Sequence, residues 1–273
     1  MECCIFAKIF GGISLEEIAK RVKQAGFDGV DLPVRPNGAI LPEEARRRLP
    51  EAARIFEDQG LTLPMIVSGI TSVESDHAED VVAACAEIGC RHIRTGSWRY
   101  EPGRYWEQVD AARRDLEGLE RLAEKYDVCL QPQQHSGHAL NSTCASTVNL
   151  VKDRNPRYIG IQADPGHVAV EGERQDMGLD IMRAYLASVN VKSPRYYAVA
   201  DRESGAFRWQ VKWVPLNEGL VEWREVLSVL KGFGFSGPFS FHPEQSDRTE
   251  EQRLEVSAQD CAWLRPVMAD VGF

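Results

Sequence analysis

VCLQPQQHSG, residues 128–137, alternates apolar with polar side chains, and its polar members Gln131, Gln133 and His135 share one parity. Three later stretches repeat the pattern. YIGIQADPGH (158–167) aligns Gln162 with Asp164, ASVNVKS (187–193) aligns Ser188, Asn190 and Lys192, and FSFHPE (239–244) aligns Ser240, His242 and Glu244. Successive side chains of a strand point to opposite faces. Each stretch therefore sends amides, imidazoles, carboxylates or an ammonium one way and Val, Ile, Phe or Ala the other. A surface sheet with its polar face in water would satisfy this pattern. So would a barrel whose lumen turns polar near one mouth.

Outward from these stretches, strand-like and helix-like segments alternate along the whole chain. Strands are expected at 3–9, 27–34, 61–69, 91–96, 128–134, 158–164, 187–193 and 237–244. Helices are expected at 14–26, 42–59, 74–88, 105–126, 143–152, 176–186, 221–231 and 249–268. Ser14 stands at the head of the first helix with Glu17 three residues on, the spacing of a capping box. Eight βα units in 273 residues predict a closed (β/α)8 TIM barrel, a single domain over residues 1–273. An open doubly wound sheet would carry a GxGxxG turn after its first strand, and GGISLEE (11–17) lacks one. The stretch 194–215, with Arg195, Tyr196, Tyr197, Arg202, Arg208 and Trp209, breaks the rhythm and is expected to be irregular, a loop or lid insertion at about 194–216 over the active face.

The bulk composition narrows the function classes. An apolar content of 43% fills a large interior, and a formal charge of −9 argues against a nucleic-acid partner. No stretch is long and apolar enough to span a bilayer, and MECCIFAKIF (1–10) lacks the charged n-region of a signal peptide. Seven scattered cysteines, an odd count, suggest reduced thiols and a cytoplasmic protein.

Barrel interiors are normally filled with branched apolar residues, so polar residues on the inner parity near C-terminal strand ends mark a site. Lys192 is costly there unless it is paired or used. Arg94, in HIRTGSWRY (92–100), could bind a carboxylate or phosphate, and Trp98 could face a sugar ring. With Gln131, Asn190 and Arg195 these are the substrate-contact candidates. His77, His92 and His138 are expected to be structural or ordinary.

These residues carry a family resemblance. AGFDGVDLPVRP (25–36), QQHSG (133–137), DPGH (164–167), VNVKS (189–193), VPLNEGLVEW (214–223) and GPFSFHPE (237–244) resemble, in order and spacing, the motifs of the xylose-isomerase-like TIM-barrel superfamily. That group includes sugar isomerases and epimerases and the AP endonuclease family 2. The resemblance implies proton transfer next to a carbonyl of a sugar, and a divalent metal (Mn, Co, Mg or Zn) held by Glu, Asp, His and Glu from strands five to eight. This chain departs from that set. Gln133 (or Gln131) stands for the first Glu, Asp164 is retained, Asn190 replaces the His, and His242 takes the last Glu position with Glu244 two residues on. Gln133, Asp164, His242 and Glu244 form the metal set so implied. Amide oxygens are weak ligands, and lost carboxylates lower the affinity for a hard cation.

The expected activity is isomerisation or epimerisation of a sugar or polyol through an enediolate. Glu244 is the candidate base, His135 and His167 the carriers of protons to oxygens, and Lys192 or a metal at Asp164 the electrophile. A lyase or dehydratase acting on a keto sugar, and a non-catalytic sugar-binding protein, are the alternatives. Abasic-site endonuclease chemistry would need a multi-zinc cluster, which six histidines on an acidic chain do not suggest. The partner expected is a small sugar, with a homo-oligomer as a further expectation.

Overall fold

The barrel strands bury an apolar parity against amphipathic helices, and those from Cys129–Gln131 onward turn polar residues into a shared lumen. The architecture is that of a computed structural model describing residues 2–201 and 204–273. Arg202 of the insertion lies outside the described residues. The barrel strands are β1 (Cys3–Phe6), β2 (Gly29–Val34), β3 (Thr62–Ser68), β4 (His92–Arg94), β5 (Cys129–Gln131), β6 (Ile161–Ala163) and β7 (Leu186–Val191). After a hairpin of β8 (Ser193–Ala200) and β9 (Phe207–Val214), β10 (Phe239–Phe241) completes the set. The helices are α1 (Leu15–Gln24), α2 (Ala45–Asp58), α3 (Ala78–Glu87), α4 (Tyr105–Tyr126), α5 (Cys144–Val151), α6 (Pro165–Val170), α7 (Gln175–Met182), α8 (Trp223–Gly232) and α9 (Glu250–Asp270).

The barrel strands are all parallel, in the order β5-β4-β3-β2-β1-β10-β7-β6. Two isolated parallel bridges, Leu130 with Ile159 and Gln133 with Gln162, join β5 to β6 and close the ring. A regular ladder is interrupted there because Pro132 has no N–H to give, although its carbonyl accepts the Gln162 N–H at 3.1 Å. The outer parity, with Ile5, Leu32, Ile66, Ile93, Leu130, Ile161 and Val189, packs in one apolar layer with Ile18, Phe56, Leu116, Leu227 and Leu264 from the helices. The expected (β/α)8 barrel is therefore the fold. All seven cysteines are free and buried. Among the described residues no helix is long and apolar enough to cross a membrane.

Three local expectations change. Ser14 does cap α1, its Oγ accepting the Glu17 N–H at 3.3 Å, but the Glu17 carboxylate pairs with Arg21 at 2.8 Å. The arginine one turn on outcompetes the backbone N–H that a capping box requires. Second, a short helix not among those expected, α6, follows β6 directly at DPGH, with the Asp164 side chain as its N-cap. Third, the stretch after β7 is a regular antiparallel hairpin, Ser193 paired with Val214 through to Ala200 with Phe207. Alternating aromatic and β-branched residues around a Gly-containing turn favour that structure.

The hairpin returns to the barrel at Leu216, whose N–H donates to the buried Asp260 carboxylate of α9 at 2.9 Å. Burial pushes the Asp260 carboxyl up to about 6. Because the folded value lies above the unfolded one of about 4, its contribution is fully present below pH 4 and is lost as pH rises through 6. Asp260→Asn keeps an acceptor for Leu216 and removes the charge. Equilibrium unfolding is expected to show the variant about 2 kcal/mol more stable than the wild type at pH 8 and equal to it at pH 4. A difference that does not change with pH would refute this assignment.

Candidate active site

Asp164 organises the C-terminal mouth of the barrel. It is fully buried at the end of β6, and its Oδ1 accepts the His167 N–H at 3.0 Å, starting α6. Gly166 is required by close packing: a Cβ there would lie 2.9 Å from Lys192 Cγ and 3.0 Å from the Trp213 ring. Oδ2 accepts from Gln133 Nε2 at 2.6 Å and Asn190 Nδ2 at 3.0 Å, and lies 3.1 Å from Lys192 Nζ. Burial alone would raise this carboxyl. His167, Lys192, His242 and the Asn190 amide hold it well below the usual carboxylate range instead.

The Lys192 ammonium has three neighbours. Nζ lies 2.9 Å from His167 Nε2, 3.0 Å from Glu244 Oε2 and 3.1 Å from Asp164 Oδ2. The Trp213 ring covers it, with the centroid 4.4 Å away, and only 3% of the residue is exposed. An ammonium has hydrogens and no lone pair, so His167 Nε2 must accept and its proton sits on Nδ1, 2.7 Å from Ser136 Oγ. Burial pulls His167 down to about 3, opposed by Asp164 and helped by Lys192, so its ring is neutral near pH 7. Glu244 is held well below the carboxylate range, the fields of Lys192 and His242 prevailing over burial.

Above this cluster opens a cavity of about 560 Å³ lined by His135, His167, Trp213 and Glu244, with Phe6, Lys8 and Arg253 among its walls. His135 Nδ1 lies 2.8 Å from the Ser136 carbonyl oxygen. A carbonyl only accepts, so Nδ1 carries the proton and Nε2 keeps a lone pair. Burial lowers the His135 value, and its ring lies 4.0 Å from that of His167. Several buried polar atoms nearby have no protein partner: Gln133 Oε1, Asn190 Oδ1, Arg94 Nε and Arg253 Nε.

The structure thus gathers Gln133, His135, Asp164, His167, Asn190, Lys192 and Glu244. The other candidates are placed differently. Gln131 lies in the barrel floor, bridging His92 Nδ1 at 2.7 Å and Ser188 Oγ at 2.6 Å. Trp98 is 9% exposed, and its indole N–H donates to Asp115 of α4 at 3.0 Å, so it packs the loop after β4. Arg195 is paired with Lys212, one residue out of phase with the Pro194–Trp213 pair. It therefore lies on the hairpin face opposite Trp213. Arg94 is charged and partly exposed, with no ion pair among the described residues.

The expected metal set does not converge. Gln133 turns its amide nitrogen, not its oxygen, toward Asp164. His242 stacks on Phe6 at 4.7 Å and keeps Nδ1 3.7 Å from Glu244 Oε1 and Nε2 3.7 Å from Asp31 Oδ2. Among the described residues no group of three or more His, Cys, Asp or Glu is arranged to hold a metal ion. The two remaining carboxylates already face an ammonium, so the donor set does not fit a divalent cation.

Three residues of the site escape the reading of the sequence. Asp31 sits on the inner parity of β2, fully buried, and accepts from Ser240 Oγ at 2.7 Å; a lone carboxylate inside GVDLPV was the available signal. Trp213 is the last aromatic of RWQVKWV, and its alternation marked a strand. Ser136 carried no signal beyond following His135.

The sequence model of the family described as xylose isomerase-like TIM barrel matches residues 19–267. No curated protein matches the sequence. Among solved structures, the 3-keto-D-glucoside 4-epimerase of E. coli is 17% identical, covering 97% of this chain and 99% of its own, with a TM-score of 0.73. The protein described as the probable 3-DHS dehydratase of Bacillus anthracis is 17% identical over 96% of this chain and 99% of its own, TM-score 0.69. A xylose isomerase-like protein of Mycobacterium smegmatis, in complex with magnesium, is 17% identical over 99% and 97%, TM-score 0.72. At these identities the likeness is one of fold. The match of the family over most of the sequence is decisive: this chain belongs to the xylose isomerase-like TIM barrel family.

Proposed function

We propose that this protein is a sugar isomerase or epimerase that moves a proton on a carbon next to a carbonyl. The observation that carries the reading is that two proton acceptors, Glu244 and His135 Nε2, line one cavity from strand ends three positions apart around the ring. The Glu244 carboxylate takes the C–H proton. The electrons form the C=C of an enediolate, and negative charge passes to the former carbonyl oxygen. His135 Nε2 takes the neighbouring hydroxyl proton and returns it to that oxygen. If Glu244 then delivers its proton to the adjacent carbon, the product is an isomer. If His135 instead keeps that proton and delivers it to the original carbon from the other side, the carbonyl re-forms, the proton on Glu244 passes to the hydroxyl oxygen, and the product is an epimer.

The remaining groups bind and orient. Lys8 and Arg253 at the cavity wall, and Arg94, offer donors to the sugar oxygens and to the developing charge. The amide oxygens of Gln133 and Asn190 are acceptors in need of donors, as sugar hydroxyls are. Lys192, expected to act as an electrophile, is covered by Trp213 and does not line the cavity. It acts as a positioning residue that holds Glu244 and His167. A dehydratase reading begins with the same proton abstraction and draws support from the likeness to the Bacillus anthracis protein. Loss of a hydroxyl from the product would establish it.

The test is incubation with a panel of keto- and aldo-sugars in D2O, followed by NMR. Wild type is expected to introduce deuterium next to the carbonyl of one of them. Glu244→Gln should lower the exchange at least about 100-fold, and His135→Asn should lower product formation by a similar factor. Tight sugar binding without exchange would replace this reading with a non-catalytic sugar-binding protein.

A second expectation concerns pH. Both His135 and Glu244 are shifted downward, so both stay unprotonated into acid. The acid limb of kcat/KM should therefore fall below the ordinary imidazole value of about 6.5. A limb at or above that value, measured on the substrate found in the panel, would count against His135 as the acceptor.

A further inference from the structure

We infer that the Lys192 ammonium stands in the place of a metal ion, as a cation built into the chain, and that the site takes up no divalent metal while Lys192 is present. The argument starts from convergence. Asp164 Oδ2, Glu244 Oε2 and His167 Nε2 arrive from the end of β6, from beyond β10 and from α6, and all three meet at one point. That point is occupied by Nζ, at 3.1, 3.0 and 2.9 Å. Two carboxylate oxygens and an imidazole lone pair at 2.9 to 3.1 Å around one centre form a set of acceptors spaced for an ammonium, not, with Lys192 in place, for a metal ion. The three hydrogens of an ammonium match three acceptors.

The surroundings are fitted to the lysine. Gly166 leaves room for its stem, 2.9 Å from where a Cβ would lie, and the Trp213 ring closes over the charge. Gln133 and Asn190 point amide hydrogens at Asp164, adding donors around an anion where a metal site would present oxygen lone pairs. A divalent ion bound to the same three acceptors would have to displace Nζ or stand within about 3 Å of its positive charge, a repulsion of many times thermal energy at protein dielectric constants. The inference goes beyond the sugar reading and does not depend on which reaction the cavity supports.

The test is Mn2+ titration of the purified protein, followed by the EPR signal of free Mn2+ and by thermal unfolding. Wild type is expected to leave the free Mn2+ signal unchanged and to melt at the same temperature with Mn2+ or with chelator. Lys192→Met keeps most of the stem and removes the ammonium. It should take up one Mn2+ per chain at least about 100-fold more tightly than wild type, and Mn2+ should raise its melting temperature. Stoichiometric uptake by wild type, or a folded Lys192→Met that takes up none, would overturn the inference. Should Lys192→Met fail to fold, the wild-type titration and melts still decide. No substrate is present, so a failed search for sugar turnover leaves this result standing.

Discussion

A buried ammonium paired with two carboxylates is the interaction on which the mouth of this barrel depends. Charges removed from water are stable only when fully compensated, and taking away one partner of such a cluster leaves the others uncompensated. Here compensation is spread over the chain. Lys192 follows β7, Asp164 ends β6 and Glu244 lies beyond β10, and these three strands are neighbours in the sheet. Parallel pairing therefore supplies the geometry, and the ion cluster ties three strand ends together where the ladder between β6 and β7 is itself irregular. The same Asp164 begins α6 and so places His167. Trp213 covers the ammonium and seats the base of the hairpin over the cavity. One cluster thus sets the position of a helix, a hairpin and the groups that line the cavity.

Much of this was legible in the sequence because strand periodicity is strict. A polar residue two positions from another must share its face, so the convergence of Asp164, Asn190 and Lys192 with Gln133 followed from parity once eight βα units were counted. What parity does not encode is height along the barrel and the direction of a side chain's last bonds. Gln131 shares the parity of Gln133 yet lies one step lower, where His92 and Ser188 claim both ends of its amide. Arg195 fell in a segment with no assigned strand, so its face was unknowable until the hairpin register set it opposite Trp213. Trp98 was placed at a sugar ring because loop packing and sugar stacking want the same residue, and Asp115 at 3.0 Å decides for packing. The proton positions on His135 and His167 depend on which atom lies opposite each nitrogen, a matter of ångströms that no spacing rule reaches.

The departure from the family pattern then has a physical reading. The ligand set implied by the resemblance holds three carboxylates around a divalent cation, which leaves one net negative charge. In this chain an amide, Gln133, stands for one of those carboxylates, and two carboxylates around one ammonium leave the same charge. On the inference that Lys192 takes the place of the ion, the net charge of the pocket is the same with a side chain as with a free ion. A fold hosts many chemistries because the residues at its strand ends vary independently of the barrel that presents them. The consequence for mechanism lies in reach. A metal ion can exchange a water for a substrate oxygen, whereas Lys192 has its hydrogens committed to three protein acceptors beneath an indole. In the proposed reaction, charge stabilisation of an enediolate then falls to cations that do face the cavity, Lys8 and Arg253, the latter with its Nε buried and without a protein partner.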